Sequence, residues 1–185
     1  MAVPEWFKAL DIPDACVEKR SACKENQRSF SIRPTSGDEI WRIKVDGCWV
    51  SGAQKRVDYI FWVQSKSGKR AIILVELKGS NYGKALDQIE STLRLLCKHS
   101  STNFVHTGKH QISPGHDGTA DKGVQAYVVL STGRQASKTA TRRGRKIPQR
   151  LSRLERIRLG YGVRVQPKTN RMFVRGGMRF GSRLY

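Results

Sequence analysis

Hydrophobic and polar residues change their spacing several times along the chain, and each change marks an element. "PEWFKALDI" carries Pro4 where a missing N–H costs little, and it reads as a short opening helix. Pro13-Asp14 begins a second expected helix, about 14 to 26 ("DACVEKRSACKEN"), whose apolar positions are few and small. "PTSGD" (34 to 38) reads as a loop. Three strand-like runs follow. "IWRIKVDGCWV" (40 to 50) contains Asp46-Gly47 as a bulge or turn, and "RVDYIFWVQ" (56 to 64) is the second run. "AIILVEL" (71 to 77) is apolar on both faces, as a central strand should be. "SKSGKR" joins the last two as a hairpin loop, with Gly68 available for a left-handed residue.

After Gly79 the period becomes helical. Ser80 or Asn81 can cap a helix from about 82 to 98, with Ala85, Ile89, Leu93 and Leu96 as its apolar stripe. A polar stretch, about 99 to 123, holds all four histidines, and "VQAYVVLST" (124 to 132) is a buried strand. "GRQASKTATRRGRK" is too basic to pack and reads as a loop or arm. Ile147, Leu151, Leu154 and Ile157 mark another helix, stopped by Gly160 and Gly162. "VRVQP" is a last strand, and "RMFVRGGMRFGSRLY" a basic tail. The order predicts an α/β fold: a mixed layer with an antiparallel start and a crossover to a fourth strand. Its 185 residues make one domain, 1–185.

Charge changes the picture. The chain has 35 Lys and Arg against 15 Asp and Glu, a net charge of +20, and such a field favours a polyanion. Residues 131 to 185 hold 16 of those bases and a single acid, Glu155, so 133–185 forms a strongly basic C-terminal region within the domain. A membrane partner fits poorly, because no apolar run approaches 18 residues. "MAVPEWFKAL" lacks a basic segment followed by an apolar one, so the expected location is cytoplasmic. Cys16, Cys23, Cys48 and Cys97 form no C-x-x-C pair and are expected to be thiols there.

Three charged side chains interrupt otherwise apolar strands: Asp58, Glu76 and Lys78. Strand alternation puts Glu76 and Lys78 on one face. A hairpin centred near Ser67 sets Asp58 opposite Glu76, with Cβ atoms about 5 Å apart. Two carboxylates so close repel each other, and a hard divalent cation (magnesium, with manganese as a substitute) relieves this. A cation, an oriented water and a lysine beside a cationic surface can hydrolyse a phosphodiester. The competing reading is a solvated edge pair, which the apolar neighbours "IILVEL" disfavour.

Asp58, the hairpin, then Glu76-Leu77-Lys78 resembles the PD-(D/E)XK nuclease superfamily. The resemblance implies a restriction-endonuclease-like core (helix, three-stranded antiparallel meander, helix, strand) over about 14 to 132, followed by a basic C-terminal helix-strand extension. It implies Asp58 and Glu76 as metal ligands with the Leu77 carbonyl as a third, Lys78 as the catalytic lysine, and Gln88 as a supporting residue. Val57 stands where many members have Pro, and the extra acid often found on the first helix falls to Glu18 or Glu25. The implied function is a metal-dependent nuclease of repair, recombination or defence, with DNA the default substrate, RNA the alternative and a homodimer compatible with the fold. A non-catalytic nucleic-acid-binding protein, or a subunit activated by a partner, remains open.

The other candidates concern binding. Lys55 and Arg56 either contact phosphate or form a charged strand entrance. Arg142, Arg143, Arg145 and Lys146, flanked by Lys138 and Arg150, are assigned to phosphate binding. His99, His106, His110 and His116 read as solvated loop residues rather than zinc ligands. Trp41, Trp49 and Trp62 read as core rather than stacking platforms.

Overall fold

A computed structural model describes residues 10–68, 70–78, 81–99, 124–130, 163–169 and 171–175, with positions 4, 7, 8, 154, 155 and 157. Its elements run β1 (Val17–Glu18), β2 (Ala22–Glu25), β3 (Arg28–Arg33), β4 (Glu39–Lys44), β5 (Tyr59–Gln64), β6 (Arg70–Lys78), α1 (Tyr82–His99), β7 (Val124–Leu130), β8 (Arg164–Thr169) and β9 (Arg171–Arg175). A six-stranded sheet has the order β1-β4-β5-β6-β7-β8, and a three-stranded sheet the order β2-β3-β9. In the larger sheet β4, β5 and β6 are antiparallel neighbours, whereas β6, β7 and β8 run parallel. This is an α/β fold with a mixed sheet.

Alternation along the central strands divides the core in two. Ile60, Trp62, Ile72, Leu74, Ala126 and Val128 face α1, which answers with Ala85, Leu86, Ile89, Leu93 and Leu96. That stripe matches the 3.6-residue period, and each of its larger side chains contributes roughly 1.5–3 kcal/mol by full burial. Asn81 caps the helix: its Oδ1 accepts from the Lys84 N–H at 3.0 Å. On the opposite face Phe61, Val63, Ile73, Val75, Leu77, Tyr127 and Val129 pack against Cys23, Phe30 and Ile32 of the smaller sheet. The molecule is therefore three layers deep around β6.

Several expectations hold. The β5–β6 hairpin turns through Gly68 at φ +77°, and its register sets Tyr59 opposite Val75. Trp41 and Trp62 are buried, with Phe7 edge-on to both rings, and Trp49 packs half-buried against the same cluster.

Others are corrected. The helix expected over 14 to 26 is absent: a 3-10 turn, Asp14–Cys16, leads into β1, and β2 pairs with β3 as a hairpin. A period of two wins there, because Cys23 pairs with Phe30 and both bury one face. The face away from α1 is thus covered by a β-sheet where the restriction-endonuclease-like order called for a helix. The run expected over 40 to 50 is a strand only to Lys44, while the turn expected at Asp46-Gly47 is present, with Gly47 at φ +71°. Part of the expected basic tail is β9, parallel to β3. Cys16 and Cys48, expected as thiols, form a disulfide that ties this turn to the chain entering β1, while Cys23 and Cys97 are free.

Candidate functional site

The site lies where β5 parts from β6. Extended by two residues, the β5–β6 register would set Asp58 opposite Glu76 and Val57 opposite Leu77. The chain is instead drawn toward α1. The Val57 N–H donates to Thr92 Oγ1 at 3.0 Å, and Gln88 Nε2 donates to the Arg56 carbonyl at 2.6 Å. Thr92 Oγ1 in turn donates to the Gln88 carbonyl at 2.8 Å, so two buried polar residues on one helix face form a clamp. On the other flank, the Asp58 carbonyl accepts the Val45 N–H at 3.0 Å.

This departure leaves both main-chain polar groups of Leu77 facing a gap, and side chains take them up. The Leu77 N–H donates to Asp58 Oδ2 at 2.6 Å. The Leu77 carbonyl accepts from Arg28 Nη1 at 2.8 Å. Buried backbone groups need partners, so the gap and its two side chains form one structural unit.

Glu76 follows Ile72 and Leu74 on the face toward α1 and is 0% exposed. Lys78 Nζ stands 3.1 Å from Glu76 Oε1, with its side chain 30% exposed. No donor meets full hydrogen-bond geometry at either Glu76 oxygen, so the Lys78 ammonium and the nearby Asp58 N–H are its compensation. Burial pushes the Glu76 carboxyl up to about 8; Asp58 adds to the rise and Lys78 opposes it. Burial also lifts Asp58 to about 6, against the pull of the Leu77 N–H, with Glu25, Asp46 and Lys78 as further neighbours. Two acids that hold protons near neutrality, beside one lysine, mark a place short of positive charge.

That shortfall fits a hard divalent cation. Magnesium is commonly held by one or two carboxylates and keeps several waters, so Asp58, Glu76 and the Leu77 carbonyl are the groups that would hold such an ion. No cluster of three His, Cys, Asp or Glu side chains able to hold a metal occurs among the described residues, so the donor set rests on two carboxylates and main chain.

The sequence-derived residues divide clearly. Asp58, Glu76, Leu77 and Lys78 come together around the gap. Gln88 is 8% exposed and serves the site through the Arg56 main chain rather than by facing it. Arg56 is turned inward: Nη1 donates to the Lys55 carbonyl at 2.8 Å and to Ser91 Oγ, and Nη2 to Gln54 Oε1. These bonds make it a strand-entrance residue. Lys55 stays exposed, 3.4 Å from Asp87 Oδ2. Of the two candidate acids, Glu18 sits on β1, paired with Arg20 and Arg42, whereas Glu25 is near enough to raise Asp58. Lys138, Arg142, Arg143, Arg145, Lys146, Arg150, His106, His110 and His116 lie outside the described residues, as does the side chain of His99.

Sequence reasoning missed Arg28 and Thr92. Arg28 could have been found from "RSFSIR", whose alternation puts residues 28, 30 and 32 on one strand face. Thr92 carried a fainter signal, four residues after Gln88 on the same helix face. A scan against protein-family models found no match, and searches of the curated proteins and the solved structures likewise returned none.

Proposed function

We propose that this protein is a magnesium-dependent nuclease that hydrolyses phosphodiester bonds, with DNA as its substrate. The observation that carries the reading is the fully buried Glu76 carboxylate, ion-paired to Lys78 beside Asp58, at an opening in the sheet. A structural role alone accounts poorly for that arrangement. A buried carboxylate without directed hydrogen bonds costs stability, and an apolar residue at position 76 would pack the same strand at less cost.

Asp58 and Glu76 would hold the cation, with the Leu77 carbonyl as a further oxygen. Bound there, magnesium would polarise a phosphoryl oxygen and the attacking water. Asp58 is fixed for this task by the Leu77 N–H, and its main chain by Val45 and the α1 clamp. Lys78, tethered by Glu76 yet partly exposed, presents the N–H donors of Nζ to orient the water. A net charge of +20 supports a polyanionic substrate and predicts strongly salt-dependent binding.

The test is a panel of plasmid, linear duplex, single-stranded and branched DNA and RNA, with magnesium, manganese or chelator. Metal-dependent cleavage of DNA, lost in Lys78→Ala, supports the reading. Salt-sensitive binding that survives Asp58→Ala, with no cleavage under any condition, would show a binding protein instead.

A further inference from the structure

Arg28 reaches the site from the opposite face of the sheet, and its guanidinium meets the Leu77 carbonyl. On β3, residues 28, 30 and 32 point the same way, toward the larger sheet, and Phe30 and Ile32 are buried there. Arg28 is the last member of that row, just after the β2–β3 turn, in which Asn26 is left-handed at φ +53°. Beyond the apolar contacts its side chain extends through the gap and ends on the Leu77 carbonyl at 2.8 Å. Its Nε is buried and has no hydrogen-bond partner among the described residues.

We infer that Arg28 is a displaceable occupant of the metal position: guanidinium and divalent cation compete for the Leu77 carbonyl oxygen, and the displaced Arg28 then binds a substrate phosphate. The inference rests on the metal-dependent reading above and adds a residue to it. A cation coordinated by the Leu77 oxygen at metal-ligand distance, about 2.1 Å, would share that oxygen with a guanidinium nitrogen held 2.8 Å from it. Like charges at that separation repel as well. While the metal is absent, Arg28 therefore holds the Leu77 carbonyl. When the metal enters, it releases a planar fork of donors at the point where a phosphodiester must arrive. Arg28 is a positioning residue in the first state and a substrate contact in the second.

Two readouts distinguish this from simple structural support. Manganese binding is measured by calorimetry on wild-type protein, Arg28→Met and Arg28→Lys, with Glu76→Gln as a control that removes a ligand. Arg28→Met removes the competitor and is expected to bind manganese about tenfold more tightly, the scale of one charge-assisted hydrogen bond. Arg28→Lys keeps the charge without the fork and should fall between. Nucleic-acid affinity is then measured with calcium, and again with chelator. Arg28→Met should weaken binding several-fold with calcium and leave it unchanged with chelator, where the wild-type arginine is already engaged. Manganese binding equal in all three Arg28 proteins overturns the inference and leaves the metal site standing. No manganese binding in any of them overturns both. Should Arg28→Met fail to fold, Arg28→Lys alone decides, and unchanged affinities in it count against the inference.

Discussion

Replacing Glu76 with Gln should make the metal-free protein more stable while removing its capacity to hold the cation. The side chain is 0% exposed and lacks directed hydrogen bonds, and burial with the nearby Asp58 raises its carboxyl from 4.5 to about 8. A raised folded-state value means folding favours the protonated form. The stability tied to that proton is complete below about pH 4.5 and is lost as pH rises through 8. With each pH unit worth about 1.4 kcal/mol, the full lift sets a ceiling of about 5 kcal/mol in alkaline solution. Asp58 and Glu76 titrate as a pair and share the cost, so about 2 kcal/mol at pH 7 is the expected gain for Glu76→Gln. Gln retains the shape and carries no charge at any pH. Urea denaturation with chelator, at pH 5, 7 and 9, measures the difference. The gain should be near zero at pH 5 and grow toward pH 9. A Glu76→Gln protein that is less stable than wild type at pH 9, or a difference that does not change with pH, would refute the assignment of a costly buried charge.

Other outcomes follow from the same geometry. Metal binding needs both carboxylates ionised, so manganese affinity should climb as pH rises through 6 to 8, with protons released on binding, as calorimetry in buffers of different ionisation enthalpy will show. Thr92→Val removes the acceptor for the Val57 N–H and should cost about 1–3 kcal/mol, with weaker metal binding from a displaced Asp58, measured by denaturation and calorimetry. Reducing the Cys16–Cys48 disulfide, which spans 32 residues, should destabilise the protein by about 3–4 kcal/mol, read as a lower Tm in dithiothreitol. Glu25→Gln removes one of the charges that raise Asp58, and should move the acidic limb of metal binding to lower pH by a few tenths of a unit, as expected for an exposed charge.

How legible this was depended on which signal each segment carried. The β5–β6 hairpin was readable to within a residue or two, because Gly68, two apolar runs and a period of two agreed with one another. Helix α1 was equally clear from its apolar stripe and Asn81 cap. The segment from Asp14 to Glu25 misled because Pro13-Asp14 resembles a helix start, while its pairing with Phe30 and Ile32 is a tertiary fact. β9 was hidden by its basic composition, since charge says nothing about which backbone a strand can pair with. At the site, Asp58, Glu76 and Lys78 stood out because charge is costly inside apolar strands. Arg28 did not, since an arginine on an amphipathic stretch looks like any exposed base until the fold shows what its face covers. Arg56 illustrates the reverse, a base beside the site whose guanidinium holds its own chain in place.

Metal-dependent cleavage is the decisive property of the proposed site. Purified protein incubated with DNA and magnesium should cut the backbone, and chelator, Asp58→Asn, Glu76→Gln or Lys78→Ala should each abolish cutting while the folded state is preserved. Cleavage that persists in Lys78→Ala and Glu76→Gln, or a wild-type protein that binds no divalent cation, would contradict it.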